Sequence, residues 1–311
     1  MKLSTTTGLY QKNGNTAELK DLNEVLRFLR EVGYEEIDLS FCFQNRPEYI
    51  LRGDDWEEKI DQLGETAARL GIYFYQCHLP FVPGCSPYTS PDFKKPGYAE
   101  YFDESTRRAY IACGRLGVKW AVAHPRSYPE FNYENKATLE ANHAWQDKFV
   151  ELGIKNGTGT AVENMLPSLD RKFASRYCQH YDQLIEYVDS FNDPMVGICW
   201  DTGHANQMQF DQVRALRAMG KRVKTLHIND NHYGNADEHL LPYMGEVDWP
   251  GVINTLIEIG YEGNLNYETG KVTFTSWGEV QMDLVKMTYK NGLYLLDCYE
   301  KALLEKAQHK A

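Results

Sequence analysis

Three of the chain's nine histidines, His227, His232 and His239, fall within thirteen residues, in a stretch (LHINDNHYGNADEHLLPYMGEVDW) that also holds Asp230, Asp237, Glu246 and Asp248. Imidazoles and carboxylates gathered this closely suit metal binding and proton transfer. Carboxylates crowded on one rim repel, and a cation is the simplest charge that lets them stay. The same residue types recur at the ends of other apolar runs. His78, His124 and His227 each lie seven residues after a glycine (Gly71, Gly117 and Gly220), while Glu163 in TAVEN, Asp201 in ICWDTGH and Glu268 in NLNYE close further runs. A lone histidine after a strand is usually a packed, hydrogen-bonded residue, and a lone glutamate there a solvated loop charge. Repetition of one placement argues instead for a shared site.

The elements that must position these residues form a repeated unit of amphipathic helix, glycine and short apolar strand. It is seen in REVGYEEIDLS, ARLGIYFYQCH, GRLGVKWAVAH, VELGIKNGTGTAVEN, RAMGKRVKTLH and IEIGYEGNLNYE. Glycine just beyond a helix takes the left-handed conformation at little cost, so each joint has a mechanism. Eight strands are expected at roughly 2–8, 35–41, 72–78, 119–124, 159–163, 196–201, 223–228 and 264–268, each followed by a helix. Such alternation implies parallel pairing with right-handed crossovers, and eight units favour a closed α/β barrel, a (β/α)8 TIM barrel of one domain over 1–311. No glycine-rich nucleotide fingerprint follows the first strand to favour an open sheet. In a parallel barrel every strand ends on one face, where active sites of this fold are built. The scattered histidines and carboxylates would therefore converge on one mouth.

Composition bounds the rest. The net charge of −11 opposes a generic polyanion-binding surface. Seven cysteines (Cys42, Cys77, Cys85, Cys113, Cys178, Cys199 and Cys298) are scattered and never spaced C-x-x-C. They read as reduced, packed thiols of a cytoplasmic protein. Strand alternation turns Cys77 away from the side that His78 faces. Neither a leader peptide nor an apolar run of about eighteen residues is seen. His143, His180 and His309 have no strand-end placement, and His232 could belong to either the site or the surface.

TAVEN, CWDTGHA, LHIND, DEHLLPYMGEVDW and NLNYE, in this order and spacing, resemble the xylose-isomerase-like barrel superfamily, over strand ends three to eight. That group includes sugar and sugar-phosphate isomerases and epimerases, ketose 3-epimerases, inosose dehydratase and the zinc-dependent endonuclease IV. The ketose-epimerase pattern makes Glu163, Asp201, His227 and Glu268 ligands of one divalent metal, with His204 orienting substrate. The endonuclease pattern takes in His78, His124, Glu163, Asp201, His204, His227, Asp237, His239 and Glu268 as a three-metal set. Against it, NMLPSLD follows Glu163 where a small, glycine-containing stretch belongs, and HINDNH lacks the Ser-Lys of that group.

The resemblance implies a metal-dependent isomerase or epimerase acting through an enediolate, with Mn, Co, Mg or Zn as cofactor. Glu163 and Glu268 would exchange the proton as base and acid. His78, His124, His204, Asp237, His239 and Arg126 would bind substrate or further metal. An inosose-type dehydratase would use the same site, and an endonuclease IV-like zinc phosphodiesterase acting on abasic DNA is the third reading. A barrel that only binds sugar needs no acid/base pair. The partner expected is a small sugar, with neither membrane nor nucleic acid; assembly of several copies is left open. No helix start suited to phosphate is evident, which favours an unphosphorylated substrate. Tyr10, Phe41, Phe81 and Trp200 are candidates to line the pocket or pack beneath it, and the Pro-rich segment 79–99 is a candidate lid.

Overall fold

The computed structural model describes residues 1–12, 18–82, 86–87, 90–128, 135–167, 176–234, 237–274 and 276–308. Its strands are β1 (Leu3–Thr6), β2 (Glu36–Ser40), β3 (Tyr73–His78), β4 (Trp120–Ala123), β5 (Gly159–Glu163), β6 (Val196–Asp201), β7 (Val223–His227) and β8 (Leu265–Tyr267). Each falls inside a stretch expected from sequence. The helices are α1 (Gly8–Gln11), α2 (Leu22–Val32), α3 (Trp56–Leu70), α4 (Tyr98–Leu116), α5 (Asn135–Lys155), α6 (Tyr181–Ser190), α7 (Thr202–Gln207), α8 (Gln212–Met219), α9 (Trp249–Ile259) and α10 (Gly278–Gln308).

All strand pairs are parallel, in the order β7-β6-β5-β4-β3-β2-β1-β8. The ring closes just past the end of β7, where the Ile228 amide donates to the Asn266 carbonyl at 2.7 Å and the Glu268 amide to the Ile228 carbonyl at 3.0 Å. The result is a (β/α)8 TIM barrel. Gly71 and Gly117 stop α3 and α4 in the left-handed conformation, at φ 65° and 69°, and so fix the seven-residue run to His78 and His124. No helix among the described residues is long and apolar enough to cross a membrane.

Alternation along the strands divides the residues into two sets. Outward-facing Ile37, Leu39, Cys77, Ala121, Val162, Ile198 and Leu226 are buried in one large apolar cluster with Leu26, Leu29, Ile60, Leu63, Leu216 and Leu256 of the helices. At about 25 cal/mol per Å² of apolar area buried, this layer is the main source of stability. The inward set is more polar. Trp120, Val122, Ala161 and Cys199 form a small plug. Beside it, Asn266 accepts from the Ser4 hydroxyl at 2.8 Å and donates to Asp38 at 2.8 Å, and Gln76 also donates to Asp38 at 3.2 Å. Buried polar groups need partners of this kind, and the network is the floor on which the strand-end residues stand.

Candidate metal centre

Glu163, Asp201, His78 and His227 are the last residues of β5, β6, β3 and β7, while His124 and Glu268 are the first residues past β4 and β8. Alternation turns all six inward, and their convergence follows from register. Glu163, only 1% exposed, is the hub. Its Oε2 lies 2.9 Å from His124 Nε2 and 3.3 Å from His78 Nε2; its Oε1 lies 3.1 Å from His227 Nδ1 and 3.4 Å from His204 Nδ1. Burial would raise this carboxyl, but His227 and His124 outweigh it and hold it well below the ordinary range. Its partners are set by backbone contacts. His78 Nδ1–H donates to the Leu79 carbonyl at 2.8 Å, leaving Nε2 toward the site, and His204 Nδ1–H donates to the Asn164 carbonyl at 2.8 Å.

Asp201 caps α7, accepting the His204 amide at 2.7 Å, and its other oxygen accepts from Asn229 at 2.9 Å. Asn164 grips its backbone in both directions, at 2.6 and 3.0 Å. The DTGH sequence follows from this packing. A Cβ on Gly203 would stand 1.8 Å from Asn229 Oδ1, so only glycine lets Asn229 reach Asp201. Burial pushes Asp201 up to about 6, with Glu163 and Glu268 adding to the rise and His204 opposing it.

The loop after β7 supplies a second layer. His239 Nδ1 donates to the Glu268 carbonyl at 2.5 Å and its Nε2 lies 2.8 Å from Asp237 Oδ2, where Lys271 also pairs at 2.8 Å. Burial would lower His239, but Asp237 outweighs it and lifts it to about 10; Asp237 itself is held far below the carboxylate range, burial being overcome by His239. His239 has φ 50°, rare for a residue with a side chain. Backbone strain of this kind persists where surrounding contacts over-determine it.

Four donors fit a divalent cation. One atom each from Glu163, Asp201, His227 and Glu268 all lie within 4.8 Å of one another. His227 Nδ1 is buried, makes no hydrogen bond among the described residues, and points between Glu163 Oε1 and Glu268 Oε2, the latter at 3.4 Å. A set of three carboxylates and one imidazole suits Mn, Co, Mg or Zn. His78, His124 and Glu163 form a second group of the same kind.

Glu163, Glu268, His78, His124, His204, Asp237 and His239 line one pocket of about 590 Å³, together with Lys12, Phe43, Arg46, Phe81, Arg176, Lys271 and Phe274, while Asp201 and His227 are fully buried. Nine of the ten site residues expected from sequence meet at or beneath it. Arg126 does not. It is 8% exposed, with its guanidinium 3.4 Å from the Trp145 ring centre and 3.9 Å from Asp103, lodged between α4 and α5. Asn142 fixes its backbone from both sides, at 2.8 and 2.9 Å, and a planar cation gains more from an aromatic face and a carboxylate than from the mouth.

Of the four aromatic candidates only Phe81 lines the pocket. Phe41 and Trp200 are core, and Tyr10 packs on Phe28. Phe43 and Phe274 take the wall instead. Cys77 is packed as expected, 3.0 Å from Cys113 Sγ. His232 stands outside the pocket against Glu238, and His143 pairs with Asp147 on α5. His309, Cys85 and parts of the candidate lid (83–85 and 88–89) lie outside the described residues. Sequence reasoning missed Asp38, although Glu36, Asp38 and Ser40 alternate with Ile37 and Leu39. It also missed Asn164, Asn229, Lys12, Arg46 and Lys271.

Residues 21–288 match the profile of the family described as xylose isomerase-like TIM barrel. Two curated relatives, protein y4fM of Sinorhizobium fredii and protein MJ1311 of Methanocaldococcus jannaschii, are 31% identical over 116 residues and 28% identical over 182. Those matches cover 37% and 55% of this chain but only 35% and 60% of the relatives. Among solved structures, a D-tagatose 3-epimerase-like protein is 23% identical with a TM-score of 0.71, covering 99% of this chain and 100% of that one. An L-ribulose 3-epimerase is 16% identical with a TM-score of 0.73, at 100% and 99% coverage. The IolI protein with a bound zinc atom is 20% identical with a TM-score of 0.73, at 96% and 99%. At such identities the solved structures speak for the fold, and with the profile match they place this chain in the xylose isomerase-like TIM barrel family.

Proposed function

We propose that the chain is a divalent-metal-dependent sugar isomerase or epimerase that moves a proton on carbon beside a carbonyl. The observation that carries this reading is the pair Glu163 and Glu268, brought from β5 and β8 to one buried imidazole nitrogen, His227 Nδ1, at 3.1 and 3.4 Å. Glu163, Asp201, His227 and Glu268 would hold the cation, which when bound supplies positive charge beside the developing oxyanion. Glu163, ionised and facing His124, His78, His204 and His227, would take the proton. Glu268, more open at 23% side-chain exposure, returns one from the other side. His78, His124 and His204 offer hydrogen bonds to hydroxyl groups. The sugar epimerases among the solved structures of like fold support the substrate class.

The test is deuterium uptake from D2O by a panel of ketoses and ketose phosphates incubated with metal-loaded protein. Incorporation at one carbon, reduced by about a hundredfold or more in Glu163→Gln, is expected. No uptake into any sugar by protein carrying one metal per chain would sink the reading. The second metal-ligand group, His78, His124 and Glu163, favours one alternative, a zinc phosphodiesterase on abasic DNA. Elemental analysis giving close to three zinc ions per chain, with cleavage of abasic DNA, would establish that alternative instead.

A further inference from the structure

We propose that the substrate of this pocket carries an anionic group, a phosphate ester or a carboxylate, received by Lys12 and Arg46 on the β1–β2 side of the mouth. This rests on the reading of the pocket as a sugar site and goes further by naming the substrate's charge. The chain is acidic overall, at −11, yet Lys12, Arg46 and Lys271 stand together on one wall. Lys271 is already paired with Asp237. Lys12 and Arg46 have no carboxylate within ion-pair distance among the described residues, and the carboxylates of the pocket, Glu163, Asp237 and Glu268, are taken up by histidines and Lys271.

Lys12 is not a free surface chain. Its ammonium sits 3.9 Å from the Phe274 ring centre and 5.8 Å from that of Phe43, both lining the pocket. Cation–π contact holds the charge in place without neutralising it. Burial, then Arg46, then Lys271 draw the Lys12 amine below its ordinary value. Two like charges side by side at a pocket mouth, one of them held on aromatic rings, are in the condition that an anion relieves. The carboxylates at the floor stand in the same relation to a cation. The site needs no helix start, because its donors are side chains: a compact ammonium and a guanidinium fork suited to phosphate or carboxylate.

The test uses metal-loaded protein and three open-chain probes of one skeleton: ribitol, ribitol 5-phosphate and ribonate, titrated calorimetrically. One or both anionic probes should bind at least about tenfold more tightly than ribitol, the size of one charge-assisted hydrogen bond. Whichever binds tighter assigns the group as phosphate or carboxylate. That ratio should collapse in Lys12→Met and in Arg46→Gln and persist in Lys12→Arg, with metal content measured in each to show an intact site. Equal affinity for neutral and anionic probes, no binding of either anion at millimolar concentration, or a preference that survives both substitutions would overturn the proposal. Deuterium uptake by neutral ketoses without anion preference would leave the isomerase reading standing and this one fallen. Anion preference without exchange in any sugar would do the reverse.

Discussion

Asp38 Oδ2 lies 3.6 Å from His227 Nε2, on the edge of the imidazole opposite Glu163. Both residues are fully buried, and Asn266 and Gln76 hold the Asp38 carboxylate from β8 and β3. A carboxylate behind a ligand histidine fixes the ring and raises its basicity. Asp38→Asn should therefore weaken metal binding about 10- to 100-fold, at the low end of what such outer partners contribute if the ring is also held by packing. Calorimetric titration with Mn²⁺ or Zn²⁺ measures it. Unchanged affinity would reduce Asp38 to a structural residue.

Glu268→Gln separates the two carboxylates. On the proposed mechanism, with Glu163 and Glu268 handling protons on two sides of the substrate, losing one would block net epimerisation but leave the other able to wash out a proton on its own side. Net conversion should fall about 10²- to 10⁴-fold while one epimer still takes up solvent deuterium. Metal content is checked alongside, because Glu268 also faces His227 at 3.4 Å. Full epimerisation by this variant would remove Glu268 from the chemistry.

Metal uptake should expel protons. In the metal-free chain His227 is held well above its ordinary value, burial being overcome by the carboxylates of Glu268 and Glu163. An imidazole nitrogen cannot carry a proton and bind a cation together. Affinity should thus rise with pH through the neutral range, and the heat of binding should depend on the buffer's ionisation enthalpy. Heats independent of buffer would contradict it. The metal-free protein has the opposite sign: the raised His239 contributes stability below the ordinary imidazole value and loses it as pH climbs through about 10.

The barrel was legible because its signals are local and repeated. Gly71, Gly117 and Gly220 each start a seven-residue run to a histidine, so strand length and face follow from the joint. What stayed hidden depends on contacts between distant segments. Asp38 is 189 positions from His227, its partner across the barrel, and a strand carboxylate that faces inward reads in sequence like one that faces water. Arg126 lies away from the pocket lining for a related reason. It is a basic residue in a loop, expected to bind substrate or further metal, and it is seated instead against Trp145 and Asp103, from separate helices. Lys12 follows β1 and α1 at the mouth, and the pairing of β1 with β8 brings Phe274 beside it.

The loop after β7 mixes site residues with braces, and Asp230 is the chief brace. It is fully buried, and its carboxylate accepts from the Val247 and Asn231 amides at 3.0 Å each, the Tyr243 amide at 3.0 Å and the Trp249 indole at 2.9 Å. Gly245 is needed for that closeness, since a Cβ there would stand 2.4 Å from Asp230 Oδ1. The Asp230 backbone also exchanges two hydrogen bonds with Leu240, next to His239. Asp230→Ala removes one acceptor group and leaves several buried donors unmatched, a loss of about 3–5 kcal/mol. Because Leu240 would be freed with the rest of the loop, His239 should lose its strained backbone and its hold on the Glu268 carbonyl. A thermal-unfolding midpoint lowered by several degrees, together with weaker metal binding restored in part by Asp230→Asn, is the expected result. A variant that loses stability but keeps full metal affinity would show that the brace supports the loop and not the site.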